Sequence, residues 1–288
     1  MQNAQTIFVT GATGNQGQAV VQSLLKKGFK IKALTRNSLS SAAQNLQKQS
    51  VEIVQGDLNN PDSFTKHLKQ IDGLFCLLTY ENGIENEIQQ GIDLANYAKI
   101  YGVKHFLYSS VIYADLHSGV LHWESKRIIE DHIKQIALPY SIIRPASLYE
   151  NFLIPQVKSR IAKGKLVSPV NKNVLQQFIS CRDIGELSAD IFMNRERYLG
   201  KTIPFAAEEM DMLHVAKIFS AVLEREIAYQ KLPLIIARLA MGKMLHKMFK
   251  WINKNDSVLL ENMNSDKYKV PQLLPLSEWI KMHFDTKL

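Results

Sequence analysis

Only two cysteines, Cys76 and Cys181, occur in 288 residues. That excludes a disulfide framework and paired-cysteine metal motifs, and makes a reducing, cytoplasmic setting the expectation. No apolar run approaches the roughly 20 residues that a bilayer-spanning helix needs. No signal-peptide pattern precedes the strand-like run Thr6–Thr10. A His-Glu-x-x-His zinc motif, a Gly-x-Ser-x-Gly nucleophile elbow and a Walker loop are all missing, so no metal site is expected. Acidic residues are absent from two stretches, Gly28–Val51 and 231–254. Each of these gaps bears on function.

What is present suits a globular chain that buries its own core. Hydrophobic residues make up 46% and charged residues 22%, enough for one large domain or a core domain with an appendage. The formal net charge is +8, and six of those charges fall within residues 231–254. The rest of the chain is nearly balanced, so a chain-wide polyanion-binding surface is not indicated.

Short β-branched or apolar runs at 6–10, 30–34, 51–55, 73–79, 104–109 and 140–144 read as buried strands. Helix-period segments at 16–27, 84–101 and 121–137 alternate with them. Such alternation predicts βαβ units, and right-handed crossovers make the sheet doubly wound. The expected fold is therefore α/β: a doubly wound parallel Rossmann sheet with a smaller mixed α+β C-terminal lobe. Residues 1–150 form the expected core, with 176–194 returning to it, and 151–288 the small lobe, read as a lid on the core. In that second half Glu150–Ile154 is expected to open a helix and 162–175 to be irregular. Strands are expected at 176–181 and 201–206, and helices at 184–194, 210–225, 234–251 and 276–284, with Asp183 as N-cap and Glu186 as its N3 acid.

Gly11-Ala-Thr-Gly14-Asn-Gln-Gly17 follows the first strand and opens the first helix. Three glycines there serve separable needs: a tight turn off the strand, close backbone approach to a pyrophosphate, and helix-on-strand packing. The phosphates sit at the helix N-terminus, where unpaired N–H groups and the dipole favour anions. The alternative is a plain strand–helix turn, and the position after the first strand of a βαβ unit favours dinucleotide binding over it. Strand two ends Leu34-Thr35-Arg36, where NAD enzymes place an acid for the ribose 2′-hydroxyl. Here no acid is available, and Arg36 offers a planar, permanently charged fork suited to a 2′-phosphate. Asn37 and Ser38 add neutral donors, and NADP(H) is expected over NAD(H). The alternative for Arg36 is a solvated surface arginine. Asp57, after strand three, is placed either to accept from the adenine amino group or to cap the segment after Asn59.

Gly11–Gly17, Thr35-Arg36-Asn37, Gln55-Gly-Asp57, Tyr108-Ser109-Ser110 and Arg144-Pro145…Tyr149-Glu-Asn151-Phe152 together resemble the NmrA-like family of atypical short-chain dehydrogenase/reductases. The resemblance runs in order over nearly the whole chain and is strongest to about residue 200. It implies a Rossmann domain, a small C-terminal lobe and a cleft between them. It also implies one of two activities: an NADPH-dependent quinone-type reductase, or an NADP-sensing regulator with little catalysis. Gly11, Thr13, Gly14, Asn15, Gln16, Gly17, Arg36, Asp57, Leu58, Thr79, Ser109, Lys126 and Tyr149 form the expected cofactor-binding set. Tyr80, Tyr113, Asn151 and Phe152 form the expected substrate cleft, with aromatic packing as the alternative for the tyrosines.

Active short-chain reductases carry Tyr-x-x-x-Lys on one helix face, the lysine holding the nicotinamide ribose and lowering the phenol pKa. Here the segment is His122-Trp-Glu-Ser-Lys126: the lysine is kept and the tyrosine replaced. A lysine one turn away disfavours imidazolium, so His122 is expected to be neutral at pH 7 and a poor acid, though it stays a candidate. Without a tuned acid, electron-poor acceptors are favoured. A quinone takes hydride to give a stabilised anion that water protonates, whereas a plain ketone forgoes the roughly 10²–10⁴-fold that a positioned acid contributes.

The acid-free stretch 231–254 reads as an amphipathic helix. Lys243, Lys247, Lys250 and Lys254 share one face, opposite Met241, Leu245, Met248 and Ile252. Three roles stay open for it: a surface helix packed by its apolar side, a protein-partner or homodimer surface, or a peripheral contact with an anionic membrane. Direct nucleic-acid binding is not expected. The expected partners are a quinone-like small-molecule acceptor or, for a sensor, a regulatory protein.

Overall fold

The computed structural model describes residues 4–255 and 273–285. Strands β1 (Thr6–Val9), β2 (Lys30–Thr35), β3 (Glu52–Gln55), β4 (Gly73–Cys76), β5 (His105–Ser109) and β6 (Tyr140–Pro145) occupy the first half. The second half holds β7 (Ser147–Leu148), β8 (Lys165–Ser168), β9 (Gln176–Ile179), β10 (Thr202–Phe205), β11 (Glu208–Met210) and β12 (Ala228–Lys231). The helices are α1 (Asn15–Lys26), α2 (Ser41–Gln47), α3 (Ile84–Ile100), α4 (Leu121–Gln135), α5 (Pro155–Ala162), α6 (Cys181–Met193), α7 (Arg195–Tyr198), α8 (Met212–Val222), α9 (Leu234–Ile252) and α10 (Leu276–His283).

Seven strands form one parallel sheet in the order β10-β6-β5-β4-β1-β2-β3. The chain winds outward from β1 to β3 on one side and from β4 to β6 and β10 on the other, a doubly wound Rossmann arrangement with its switch between β1 and β4. In-register pairing of Ile7 with Ile31 and Gly73 fixes that centre. Strand alternation sends Phe8, Leu34, Leu74, Phe106 and Ile142 to one face, where they meet Leu94 and Ala98 of α3 and Ile129 and Ile133 of α4. Gly91 lets α3 approach α4, because a Cβ there would lie 2.7 Å from Ile129 Cδ1. On the other face α6 packs on α1 so closely that a Cβ on Gly185 would meet the Ala19 carbonyl oxygen at 2.5 Å.

The chain divides into two compact units. The first holds the described residues up to 116, 122–144 and 181–203; the second holds 117–121, 145–180 and the described residues from 204 onward. The expected return of 176–194 to the core therefore splits. Helix α6 joins the first unit, but β9 pairs with β7 and β11 in a three-stranded sheet of the second. Phe178 of β9 stacks on Tyr149 and Phe152 there, an apolar anchor that outweighs proximity in sequence to α6. The second unit's core also gathers Phe219, Trp279 and Phe284.

Several boundaries differ from expectation. Asp183 is not an N-cap: α6 begins two residues earlier and the acid sits in its first turn, favourable to the dipole. Glu150–Ile154 opens with a single 3-10 stretch, Tyr149–Leu153, before Pro155 starts α5. The stretch 162–175 holds β8, which pairs in parallel with β12. Residues 208–210 are a strand, and Asp211 caps α8 by accepting from the His214 N–H at 2.7 Å. Helix α9 is broken at Gly242, whose φ of 84° and ψ of 172° are not helical. Among the described residues no helix is long and apolar enough to cross a membrane.

Candidate functional site

The switch between β1 and β4 opens at the strand C-termini, where doubly wound sheets bind ligands. Thr10 clamps the two ends together: its hydroxyl donates to the Leu77 carbonyl and accepts the Leu77 N–H, each at 2.8 Å. The chain then turns through Gly11, whose φ of 64° suits glycine. Gly17 is required by packing, since a Cβ there would sit 2.1 Å from the Gly11 carbonyl oxygen. Gly14 is different. Its φ of −86° and ψ of 172° suit any residue, and a Cβ would meet nothing nearer than 3.6 Å. The protein itself does not need a glycine there, but a ligand pressed against the turn would.

Gly11, Thr13, Gly14, Arg36, Asn37, Asp57, Leu58, Thr79 and Asn82 line a groove of about 440 Å³. That volume lies in the range of small-molecule and cofactor sites. Arg36 is exposed and makes no ion pair among the described residues. Asn37 uses its side-chain oxygen on the Leu39 N–H at 3.0 Å, while Ser38 donates to Gln55 at 2.5 Å and does not face the groove. Asp57 accepts the Asn59 N–H at 2.9 Å through one carboxylate oxygen, leaving the other for a ligand.

Of the expected cofactor set, Asn15, Gln16, Gly17, Ser109, Lys126 and Tyr149 do not line this groove. Gln16 and Ser109 are buried and bonded to each other, Nε2 to Oγ at 2.6 Å. Lys126 lies one residue's reach away. The residue is 7% exposed, and its ammonium donates to Glu87 Oε1 at 2.6 Å and to the carbonyl of Leu78, a groove residue, at 3.1 Å. Glu87 is wholly buried and accepts from Ser125 Oγ at 2.5 Å with its other oxygen. The ammonium also lies 5.8 Å from the centre of the Tyr108 ring. Two of its three protons are thus committed and one remains.

His122 stands beside this pair, 5.3 Å from the Tyr80 ring, with Nδ1 buried and unpartnered. Burial pushes its pKa down to about 4; Lys126 adds to the effect and Glu87 opposes it. Neutrality at pH 7 thus follows chiefly from burial, not from the lysine. Tyr108 is fully buried with its hydroxyl unpartnered, and burial raises its pKa well above that of free tyrosine. Tyr80 is half-buried and its pKa is raised by burial, then by Glu87 and Glu81. Tyr113, held at a φ of 73°, packs its ring 5.2 Å from Trp123.

Glu130 is a second buried carboxylate. Glu130 accepts from Arg144 through both oxygens, at 2.9 and 2.7 Å, and from Ser110 Oγ at 2.6 Å. This fork ties the end of β5 to α4 and β6. Neither Glu87 nor Glu130 belongs to a recognisable motif.

Two of the residues expected to contact ligand are engaged in packing within the second unit. Tyr149 is fully buried in the second unit's core, stacked on Phe178, and its hydroxyl donates to Glu208 at 2.5 Å. Phe152 joins the same aromatic cluster at 6% exposure. Both side chains are consumed by packing because the second unit needs large rings to fill its core. Asn151 is exposed on the 3-10 turn. Among the described residues no cluster of three His, Cys, Asp or Glu is placed to hold a metal.

The profile of the NmrA-like family matches residues 3–280. An NmrA-like family domain-containing protein of Dictyostelium discoideum is 28% identical over 242 residues, covering 79% of this chain and 80% of that protein. An NAD(P)H azoreductase of Xenophilus azovorans is 25% identical over 241 residues, covering 83% and 81%. Among solved structures, the triphenylmethane reductase of Citrobacter sp., complexed with NADP(H), superposes with a TM-score of 0.82 at 23% identity, covering 96% of this chain and 100% of that one. The NADPH-dependent quinone oxidoreductase of Escherichia coli gives 0.81 at 22%, covering 97% and 100%. NmrA, a negative transcriptional regulator in complex with NADP, gives 0.80 at 20%, covering 98% and 96%. At these identities the structural likeness establishes the fold.

Proposed function

The chain belongs to the NmrA-like family, and from that premise we propose that it binds NADP(H) in the groove at the β1–β4 switch and reduces quinones or other electron-poor small molecules. The observation that carries the cofactor preference is Arg36: exposed, free of an ion pair among the described residues, and lining a groove in which no acid follows β2. Gly14, which the protein does not need as glycine, supports a pyrophosphate against the turn. The second carboxylate oxygen of Asp57 supports an adenine contact.

When bound, NADPH supplies a hydride. The chain's own residues hold and orient. Lys126, fixed by Glu87 and the Leu78 carbonyl, keeps one N–H for a ribose hydroxyl. Because Glu87 is buried, the ammonium has one position instead of many. No tuned acid stands where the tyrosine of active short-chain reductases would be: His122, with a pKa of about 4, is neutral at pH 7 and lacks the acidic imidazolium proton. An acceptor whose reduced form is a stable anion suits such a site, and a plain ketone does not. The likeness to proteins named azoreductase, triphenylmethane reductase and quinone oxidoreductase supports electron-poor acceptors.

The same missing acid favours a second reading, an NADP(H) sensor acting through a regulatory protein, and the likeness to the NmrA regulator supports it. Steady-state NADPH oxidation with a panel of quinones separates the two. The reductase reading expects turnover that Lys126→Ala lowers and His122→Phe leaves nearly unchanged. Tight NADPH binding with no turnover on any quinone assigns the sensor.

A further inference from the structure

The acid-free segment 231–254 carries six basic residues and no acidic one. Its helix α9 is two pieces joined at Gly242. The C-terminal piece is anchored, with Phe249 and Ile252 packed against the second unit's core. The N-terminal piece is turned the wrong way round for a soluble helix. Ala237 is the only buried residue of α9, while Ile235 is 62% exposed, Ile236 47% and Leu239 82%. At 100° per residue these three share an arc of about 100° roughly opposite Ala237, so the small residue faces inward and the large apolar ones outward. Isolated exposed apolar residues are ordinary, but three on one helical face are not.

The surroundings specify what meets that face. Lys231, Arg238, Lys243, Lys247, Lys250 and Lys254 are all exposed, and none forms an ion pair among the described residues. No acidic residue occurs between Glu226 and Asp256. A second copy of the same face would set two uncompensated cationic patches against each other, since a two-fold interface is self-complementary. An apolar face on an acid-free segment with six exposed cations, Lys231 and Arg238 on its own side of Gly242 and four beyond it, matches instead a surface that is apolar beneath and anionic at its rim, which describes the headgroup region of an acidic bilayer. Since no described helix can cross a membrane, the contact lies in the interface plane.

We propose that the N-terminal piece of α9 docks on anionic membrane surfaces, with Ile235, Ile236 and Leu239 entering the headgroup boundary and the six basic side chains meeting lipid phosphates. The docking is independent of turnover, so it holds for a reductase or a sensor. For a reductase it brings the chain to the phase in which hydrophobic acceptors dissolve.

The test is co-sedimentation of the full chain with vesicles of phosphatidylcholine alone and with vesicles that also contain phosphatidylglycerol. Binding is expected to the mixed vesicles only, and to fall as salt rises. Leu239→Ser should weaken it about tenfold, through lost apolar burial. Joint replacement Lys243→Gln, Lys247→Gln and Lys250→Gln should weaken it on the order of a hundredfold. All four positions are solvent-exposed or flank the solvent, so unchanged thermal midpoints show that the variants are folded. Absence of binding to the mixed vesicles overturns the proposal, as does binding that both sets of substitutions leave intact. A lipid-free dimer, seen by light scattering and removed by Leu239→Ser, assigns the face to a second copy and also overturns it.

Discussion

Gly14 and Gly17 lie three residues apart in one turn, and geometry assigns them opposite roles. Replacing Gly17 with alanine would place a methyl 2.1 Å from the Gly11 carbonyl oxygen and 2.8 Å from Ala12 Cα, both backbone atoms. The turn must then open or α1 must lift off the sheet, a cost of at least about 1–3 kcal/mol for forced overpacking. Replacing Gly14 meets no such obstacle. Its backbone angles suit alanine and its nearest neighbour would be 3.6 Å away. Fewer unfolded conformations even give a gain of about 0.4–1 kcal/mol. If a pyrophosphate lies against that turn, the added methyl removes one close backbone approach. A hydrogen bond to a charged group contributes roughly 1.5–3 kcal/mol, so affinity should fall about 10- to 100-fold. Thermal denaturation and calorimetric titration with NADPH read both effects. Gly14→Ala should keep or raise the midpoint and lose affinity, and Gly17→Ala should lower the midpoint. A folded Gly14→Ala variant that binds NADPH as tightly as the unsubstituted chain would refute the placement of the pyrophosphate.

Two further outcomes follow from the buried groups. Glu87→Gln leaves the Lys126 ammonium buried without its counter-charge, which should cost about 3–5 kcal/mol in urea denaturation and lower turnover. Adding Lys126→Met should restore much of that stability, and strictly additive losses would show that the two groups are not coupled. His105 and His122 are each held near a pKa of about 4 by burial, below the ordinary value of 6.5. Below pH 6.5 the unfolded chain takes up protons that the native state refuses. Stability present above pH 6.5 is therefore lost as pH falls toward 4, by about 2 kcal/mol per histidine at pH 5. His122→Phe should remove one such share, and an unchanged difference between urea midpoints at pH 7.5 and 5 would contradict its burial as the cause.

The first unit is legible in the sequence because its signals are local. A β-branched run, a glycine turn and a 3.6-residue period each act within a dozen residues, and β1, α1 and β2 fall where these place them. The groove residues Gly11, Thr13, Gly14 and Arg36 follow for the same reason. The buried Glu87–Lys126 pair does not, because a carboxylate in the first turn of a helix ordinarily reads as a dipole partner. One signal was available: Glu87 falls on the stripe of Gly91, Leu94, Ala95 and Ala98, all buried faces of α3. An acid on an apolar stripe implies a buried cation, and Lys126 occupies the matching stripe of α4 with Ile129 and Ile133. The second unit resists such reading. Its strands are two to four residues long and pair across large sequence separations, as β8 does with β12. Tyr149 resembles a ligand contact by motif position but is taken by aromatic packing with Phe178 and Trp279. In α9 the uniform periodicity of 234–252 conceals the break at Gly242, so Met241 and Lys243 do not share one helical frame.

Calorimetric titration of the full chain with NADPH and with NADH, repeated on Arg36→Ala, tests the assignment of the groove most directly. NADPH should bind at least about tenfold more tightly than NADH, and Arg36→Ala should erase that difference while leaving NADH affinity nearly unchanged. Equal affinity for the two nucleotides in the unsubstituted chain, or a preference for NADPH that survives Arg36→Ala, would contradict it.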